Sequence, residues 1–224
     1  MNAANETLQK DESLTEFGLP FDRAFSRPAT EESIQRTAEA LRKHNFSVRV
    51  VDTAADARDL VRSLLPREGR IYTAPSETLR LSGIDDDING SGAYVSVRSE
   101  LAKLDPKTQR PEMRRLTATP DVVVGSVHAV TEDGRLVAAS ATGSQLGPYA
   151  AGAGKAIFVV GSQKIVPDLE TALRRLQFYS YPKEDDRARA KYGSPTALAK
   201  ILIMNLDRPA ERSTVVLVRE PIGF

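Results

Sequence analysis

The 224-residue sequence contains no cysteine. That absence excludes disulfides, a thiol nucleophile, a redox CxxC pair, a thiolate zinc site and any cluster ligated by this chain. Histidine is nearly as scarce, with only His44 and His128 present. A His-rich metal centre is therefore out, any divalent ion would have to rest on carboxylates, and no metal site is assigned. Charge of one sign is lacking too: 31 Lys plus Arg stand against 30 Asp plus Glu, a formal net charge of +1. A nucleic-acid partner bound through bulk charge would need a basic excess to displace phosphate counterions, so none is expected. No apolar run is long enough for a membrane span, and the polar, acidic stretch from Met1 to Asp11 has no apolar leader region. The expectation is a cytoplasmic, soluble protein with no membrane partner.

What is present suffices for one α/β domain, because 41% of the residues are hydrophobic and can bury a full core. Residues 1–29 are polar, carry Pro20 and Pro28, and scatter Phe17, Phe21 and Phe25 without a period. They read as an arm that docks through those rings, leaving residues 30–224 as the domain. Thr30 caps a helix with Ile34, Ala38 and Leu41 at helical spacing, and Val48 to Val51 follows as a strand. Thr53 and Asp56 open a second helix, with Ala57, Leu60, Val61 and Leu64 on one face. Strands are predicted at Arg70 to Thr73, Tyr94 to Val97, Asp121 to Ser126, Ala156 to Val160, Lys200 to Met204 and Thr214 to Val218. Between them lie helices at Pro75 to Gly83, Thr108 to Leu116, Gln145 to Ala151, from Pro167 through Leu169, Ala172, Leu173 and Leu176, and Glu184 to Tyr192. Asp85-Asp86-Asp87 reads as an acidic turn or a solvated acidic helix start in preference to a cation site, since no spaced glycine and glutamate complete a calcium loop. Val127 to Thr131 and Leu136 to Ala139 flank an Asp-Gly turn and predict a hairpin.

Alternation of helices with continuously apolar strands points to an α/β fold, a mostly parallel sheet with helices on both faces and one internal hairpin. Val122 to Val124, Ile157 to Val160 and Leu202 to Ile203 are expected in its core. In such sheets ligands settle beyond the carboxyl ends of the strands, which singles out a few loops. Ser76 follows a strand and opens a helix, as a helix cap or as an anion contact. Thr142, Gly143, Ser144 and Gln145 combine hydroxyls, an amide and free backbone donors, which suits either an oxyanion nest or a tight turn. Gly152-Ala153-Gly154-Lys155 is not a dinucleotide fingerprint, because no strand immediately precedes it. Glu132, beside Asp133 at the hairpin tip, is either a solvated turn former or a carboxylate aimed into the cleft as base or nucleophile. His128 is the one group near these loops that ordinarily titrates near neutrality, and packing alone is its alternative. Lys164, after the strand ending at Gly161, is either solvated or a point charge for an anionic substrate. His44 is placed at a helix C-terminus as a dipole partner. The helix Asp185 to Lys191 reads as a mixed-charge solvent face.

The runs Thr73-Ala74-Pro75-Ser76-Glu77-Thr78-Leu79, Ala118 to Gly134 with its Thr131-Glu132-Asp133-Gly134 end, Ala141 to Leu146, Val159 to Val166 with its Gly161-Ser162-Gln163-Lys164-Ile165-Val166 end, and Lys200-Ile201-Leu202-Ile203 resemble the LUD domain, the family of the lactate-utilization protein C. The resemblance covers about residues 30–224. It implies a fold of the ribose-phosphate isomerase, glucosamine-phosphate deaminase and CoA-transferase type, whose loops bind small anionic metabolites. It also implies a place in organic-acid use, lactate foremost, beside an iron-sulfur protein partner. No cofactor is implied on this chain itself; a CoA ester or a phosphate-bearing ligand would fit. Glu132 in its Glu-Asp-Gly turn is similar locally to the acyl-accepting glutamate of CoA-transferases. Ala199 stands where relatives often carry an asparagine before a strand, which removes an amide contact there, and some relatives carry asparagine at His128. A stand-alone transferase or isomerase using Glu132, and a non-catalytic interaction subunit, are the competing expectations.

Overall fold

The computed structural model describes residues 13–224, so residues 1–12 of the expected arm lie outside the description. Helix α1 (Glu31–Lys43) begins where the Thr30 hydroxyl accepts the Ser33 N–H, and it buries Ile34, Ala38 and Leu41. Strand β1 (Ser47–Val51) leads to α2 (Ala54–Leu64), opened by a reciprocal Thr53–Asp56 capping box. Next come β2 (Arg70–Thr73), α3 (Glu77–Leu81), α4 (Ile84–Gly90), β3 (Val95–Ser96), α5 (Val97–Leu101) and α6 (Arg110–Ala118). The Asp85-Asp86-Asp87 run lies in the first turn of α4, the acidic helix start of the two readings. Gly83, at φ +76°, re-aims the chain just before it, and carboxylates favour that end of a helix. The remaining elements are β4 (Val122–Gly125), β5 (Ala129–Thr131), β6 (Leu136–Ser140), β7 (Lys155–Gly161), β8 (Ile165–Val166), α7 (Leu169–Arg175), α8 (Tyr181–Tyr192), β9 (Lys200–Met204) and β10 (Ser213–Val218). A π-helical turn, Pro148–Gly152, replaces the helix expected over Gln145 to Ala151, and another, Leu176–Ser180, joins α7 to α8.

Six strands form a wholly parallel sheet in the order β1-β10-β7-β4-β2-β3. Its middle strands carry continuous apolar runs, residues 122–124, 156–160 and 215–218, because both faces are covered there. On one face Val122, Val124, Ile157, Val159 and Val216 meet Ala57 and Val61 of α2 and Leu79, Ile84 and Ile88 of α3 and α4. On the other face Val123, Phe158, Val215 and Leu217 meet α1 and a second layer of strands.

That second layer corrects the single-sheet expectation. The hairpin β5–β6 leaves the large sheet and forms a four-stranded sheet, in the order β8-β5-β6-β9, antiparallel except between β5 and β8. Val130, Leu136 and Ala138 pack on the large sheet, while Ala129 and Val137 face Val166, Ala172, Phe25 and Leu169. Strand β9 is an edge of this small sheet, so Leu202 packs inward while Ile201 and Ile203 are 46% and 36% exposed. The expected burial of Leu202 to Ile203 therefore fails at Ile203, as the alternation of an edge strand dictates. Leu173 is exposed as well, because the buried stripe of α7 and its extension runs through Ala172, Arg175, Leu176 and Tyr179. Pro167 lies ahead of the Asp168 cap, not at the first helical position.

In the described part of the arm, Phe21 stacks on Tyr179 at 5.3 Å and the Asp22 N–H donates to the Phe178 carbonyl at 2.8 Å. Among the described residues no helix is long and apolar enough to cross a membrane. Phe158, wholly buried in the centre of the large sheet and edge-on to Tyr149 at 4.9 Å, tests the packing. Phe158→Ala is expected to lower stability to urea unfolding by roughly 3–5 kcal/mol, the usual cost of an aromatic-sized cavity.

Candidate ligand-binding site

Beyond the carboxyl ends of β2, β4 and β7 lies a cavity of about 320 Å³. Ser76 contributes one wall, Ser126 and His128 a second, the segment Ser140 to Gln145 a third, and Glu184, Arg187 and Lys191 of α8 a fourth. Lys164 enters from the turn after β7.

That turn is held at every residue. A Cβ on Gly161 would sit 2.4 Å from Gln163 Oε1 and 2.6 Å from the Ile222 nitrogen, so only glycine allows the approach. Ser162 Oγ donates to the Arg219 carbonyl at 2.6 Å. Gln163 Nε2 donates to the carbonyls of Ile222 and Gly223, and its Oε1 accepts the Ile222 N–H. Lys164 turns the opposite way: its Nζ donates to Thr78 Oγ1 at 2.9 Å and Ser126 Oγ at 3.0 Å. Only 2% exposed, it has two hydroxyls as partners and no carboxylate among the described residues. Burial, reinforced by the positive charge of Arg175, holds its ammonium pKa well below the ordinary lysine value.

Arg175 is a second buried cation without a carboxylate. Its Nε donates to the Gln163 carbonyl, its Nη1 to the His128 carbonyl and Ser180 Oγ, and the guanidinium lies 4.9 Å from the Tyr179 ring centroid. Its Nη2 is buried with no partner among the described residues. Burial lowers its pKa to about 10, which still leaves it charged at neutral pH. His128 accepts the Ala139 N–H at Nδ1 (3.1 Å), so in the neutral ring the proton belongs on Nε2. Burial first, then Lys164 and Arg175, lower its pKa to about 3. Tyr149 Oη donates to the Ser126 carbonyl at 3.2 Å, and burial raises its pKa.

Toward the cavity mouth the charges are sorted into pairs. Arg80 meets Glu77 at 2.8 Å, Arg98 meets Asp85 at 3.3 Å, and Arg187 meets Glu184 at 2.6 Å. Each carboxylate lining the cavity is thereby matched, and Lys164 and Lys191 are left over. Serine, threonine and histidine groups of the cavity wall offer further hydrogen bonds.

The family model of the LUD domain matches residues 34–201. The chain belongs to the LUD domain family. No curated protein matches it. Among solved structures it is similar to a DUF162 family protein from Deinococcus radiodurans, at 12% identity and a TM-score of 0.46, over 85% of this chain and 99% of that one.

In this LUD domain, Ser76, His128, Thr142, Ser144, Gln145 and Lys164 come together on the cavity wall. Ser76 also caps α3, accepting the Leu79 N–H. Gln145 is committed structurally, since its Nε2 donates to the Ala139 carbonyl and its Oε1 accepts from Ser140. Gly143 does not line the cavity: at φ +87° it turns the chain against the Lys200 stem. Glu132 is not there either. Its carboxylate accepts from Ser33 Oγ and pairs with Arg36 of α1 at 2.9 Å, because the small sheet's hairpin tip lies over that helix. His44 caps α1 as expected and places Nδ1 3.0 Å from the Gly134 carbonyl at the same tip. Lys164 corrects the solvated alternative by being buried. The loop carrying Ala199 contributes Thr196, Ala197 and Leu198 to the cavity, and buried Asp185 anchors it by accepting the Thr196 N–H.

Arg80, Arg98, Tyr149, Arg187 and Lys191 escaped sequence reasoning. For α8 a signal existed: Glu184, Arg187 and Lys191 recur at i, i+3 and i+7 and share a face that turns into the cavity. For Arg175 the signal was a charge on the apolar stripe Ala172, Leu176, Tyr179.

His128 makes stability depend on pH. Between its ordinary value of 6.5 and about 3 the unfolded chain takes up a proton that the folded chain refuses. Its contribution is therefore complete above that window and is lost as pH falls through it. His128→Asn keeps an acceptor for the Ala139 N–H but cannot be protonated. Urea unfolding above and inside the window is expected to show a smaller acid loss in the variant than in the parent chain.

Proposed function

We propose that this LUD domain binds a small anionic metabolite in the cavity at the strand ends, and that it serves organic-acid use, lactate foremost. The observation that carries the reading is the charge balance: Glu77, Asp85 and Glu184 of the cavity each already face an arginine, which leaves Lys191 over as a cation beside them. Lactate, pyruvate, a phosphate-bearing metabolite and the phosphate end of a CoA ester share the chemistry this site recognises. A chain without cysteine carries no cluster of its own, so oxidation of such a substrate would pass electrons to a partner, which fits an iron-sulfur oxidoreductase working beside it in the cytoplasm. An acyl-transfer or isomerase reading built on Glu132 has no geometric support, since that carboxylate is tied to Ser33 and Arg36 outside the cavity.

Thermal-shift and calorimetric titrations with lactate, pyruvate, inorganic phosphate and a CoA ester test the reading. At least one is expected to raise the melting temperature. Arg187→Gln removes a cation and frees Glu184 to face the ligand, so it is expected to weaken that anion by about tenfold, the worth of one charge-assisted hydrogen bond. If none of the four anions stabilises the chain, or if Arg187→Gln leaves affinity untouched, the cavity does not do this work.

A further inference from the structure

The hydrogen bonds around Lys164 specify more than a point charge. Thr78 Oγ1 donates to the Ile222 carbonyl and Ser126 Oγ to the Val127 carbonyl, both at 3.3 Å. With their own protons committed, the two hydroxyls can only accept from Nζ, which gives one N–H to each. A neutral amine has two N–H bonds and one lone pair. Two acceptors thus satisfy it fully and leave the lone pair in the remaining tetrahedral direction, whereas an ammonium carries a third N–H for which the described residues offer no acceptor. Lys164 is also one of the residues that line the cavity.

We propose that Lys164 is a carbonyl-capturing amine: it condenses with the aldehyde or keto group of a small anionic compound held in this cavity and forms an imine. The inference rests on the anion-binding reading of the same site and names the class of ligand, an anion that also carries a carbonyl. Arg175 acts as a positioning residue. Its guanidinium fixes the Gln163 carbonyl next to Lys164 in the chain, and its charge opposes protonation of the amine. In the reaction the Nζ lone pair attacks the carbonyl carbon and the carbonyl oxygen takes up a proton. The carbinolamine then loses water to leave C=N, and neither oxidant nor reductant is consumed.

Glyoxylate, the smallest anionic carbonyl, is the probe, with cyanoborohydride to reduce the imine to a stable carboxymethyl amine. The full chain is incubated with both, digested, and mapped by mass spectrometry. Lys164 is expected to be carboxymethylated about tenfold faster than the exposed Lys191 and Lys200, the advantage of a desolvated amine, and inorganic phosphate is expected to slow that labelling. Labelling confined to exposed lysines, or spread evenly over all of them, would overturn the proposal. The decisive readout uses the unaltered chain, so it does not depend on a variant folding. Phosphate stabilisation is read in parallel. If phosphate stabilises the chain and Lys164 stays unlabelled, the imine alone fails; if phosphate neither stabilises nor protects, the anion site fails with it.

Discussion

At the end of β7 the chain passes from one sheet to the other through three residues, Ser162 to Lys164, and most of the site depends on how that passage is held. Gly161 has no side chain because the Ile222 backbone occupies the space a Cβ would need. Ser162 and Gln163 then bind the segment Arg219 to Gly223, which leaves Lys164 facing the opposite way, toward Thr78 and Ser126. Arg175 closes the arrangement from behind by donating to the carbonyls of Gln163 and His128. Two cations are thus buried within one small region with only hydroxyls, carbonyls and an aromatic ring around them. Desolvating unpaired charge is costly, and burial lowers both pKa values: that of Lys164 falls well below the ordinary lysine value, while the guanidinium's, at about 10, leaves Arg175 charged.

The two-sheet arrangement sets what surrounds this turn. Because β5 and β6 pack over the large sheet instead of joining it, the loop after β6 is carried above the ends of β2 and β4, where Ser140 to Gln145 form a wall. The same displacement takes the tip of the hairpin to α1, where Glu132 meets Ser33 and Arg36 and Gly134 presses on the Ala40 backbone at a point where a Cβ would lie 2.8 Å away. The two ends of β6 therefore serve different purposes, one facing the cavity and the other fastening the layers together.

Much of the fold was legible because it rests on local rules. Thr30 and Thr53 with Asp56 mark helix starts through hydrogen bonds three residues long, and the valine runs of β4 and β10 announce burial on both faces. The errors fall where a residue's environment is set by a distant neighbour. Ile203 has the composition of a core strand, yet lies on an edge because no strand pairs beyond β9 among the described residues. The mixed-charge helix α8 looks solvated in sequence, and becomes a cavity wall only because the turn Leu176–Ser180 carries it across the strand ends.

By itself the sequence determined the α/β class, the parallel pairing of its apolar strands, the absence of thiol chemistry and membership of the LUD family, since composition, periodicity and short motifs act over a few residues. It also brought forward most of the polar groups that meet in the cavity. Only the tertiary structure decided what those groups are able to do. It buried Lys164 between two hydroxyls, withdrew Glu132 to a salt bridge on α1, and brought Arg98 to Asp85. Burial and long-range contact depend on solvent exclusion and on partners far along the chain, such as Thr78 and Ser126 for Lys164 or Ser33 and Arg36 for Glu132, and spacing does not encode them.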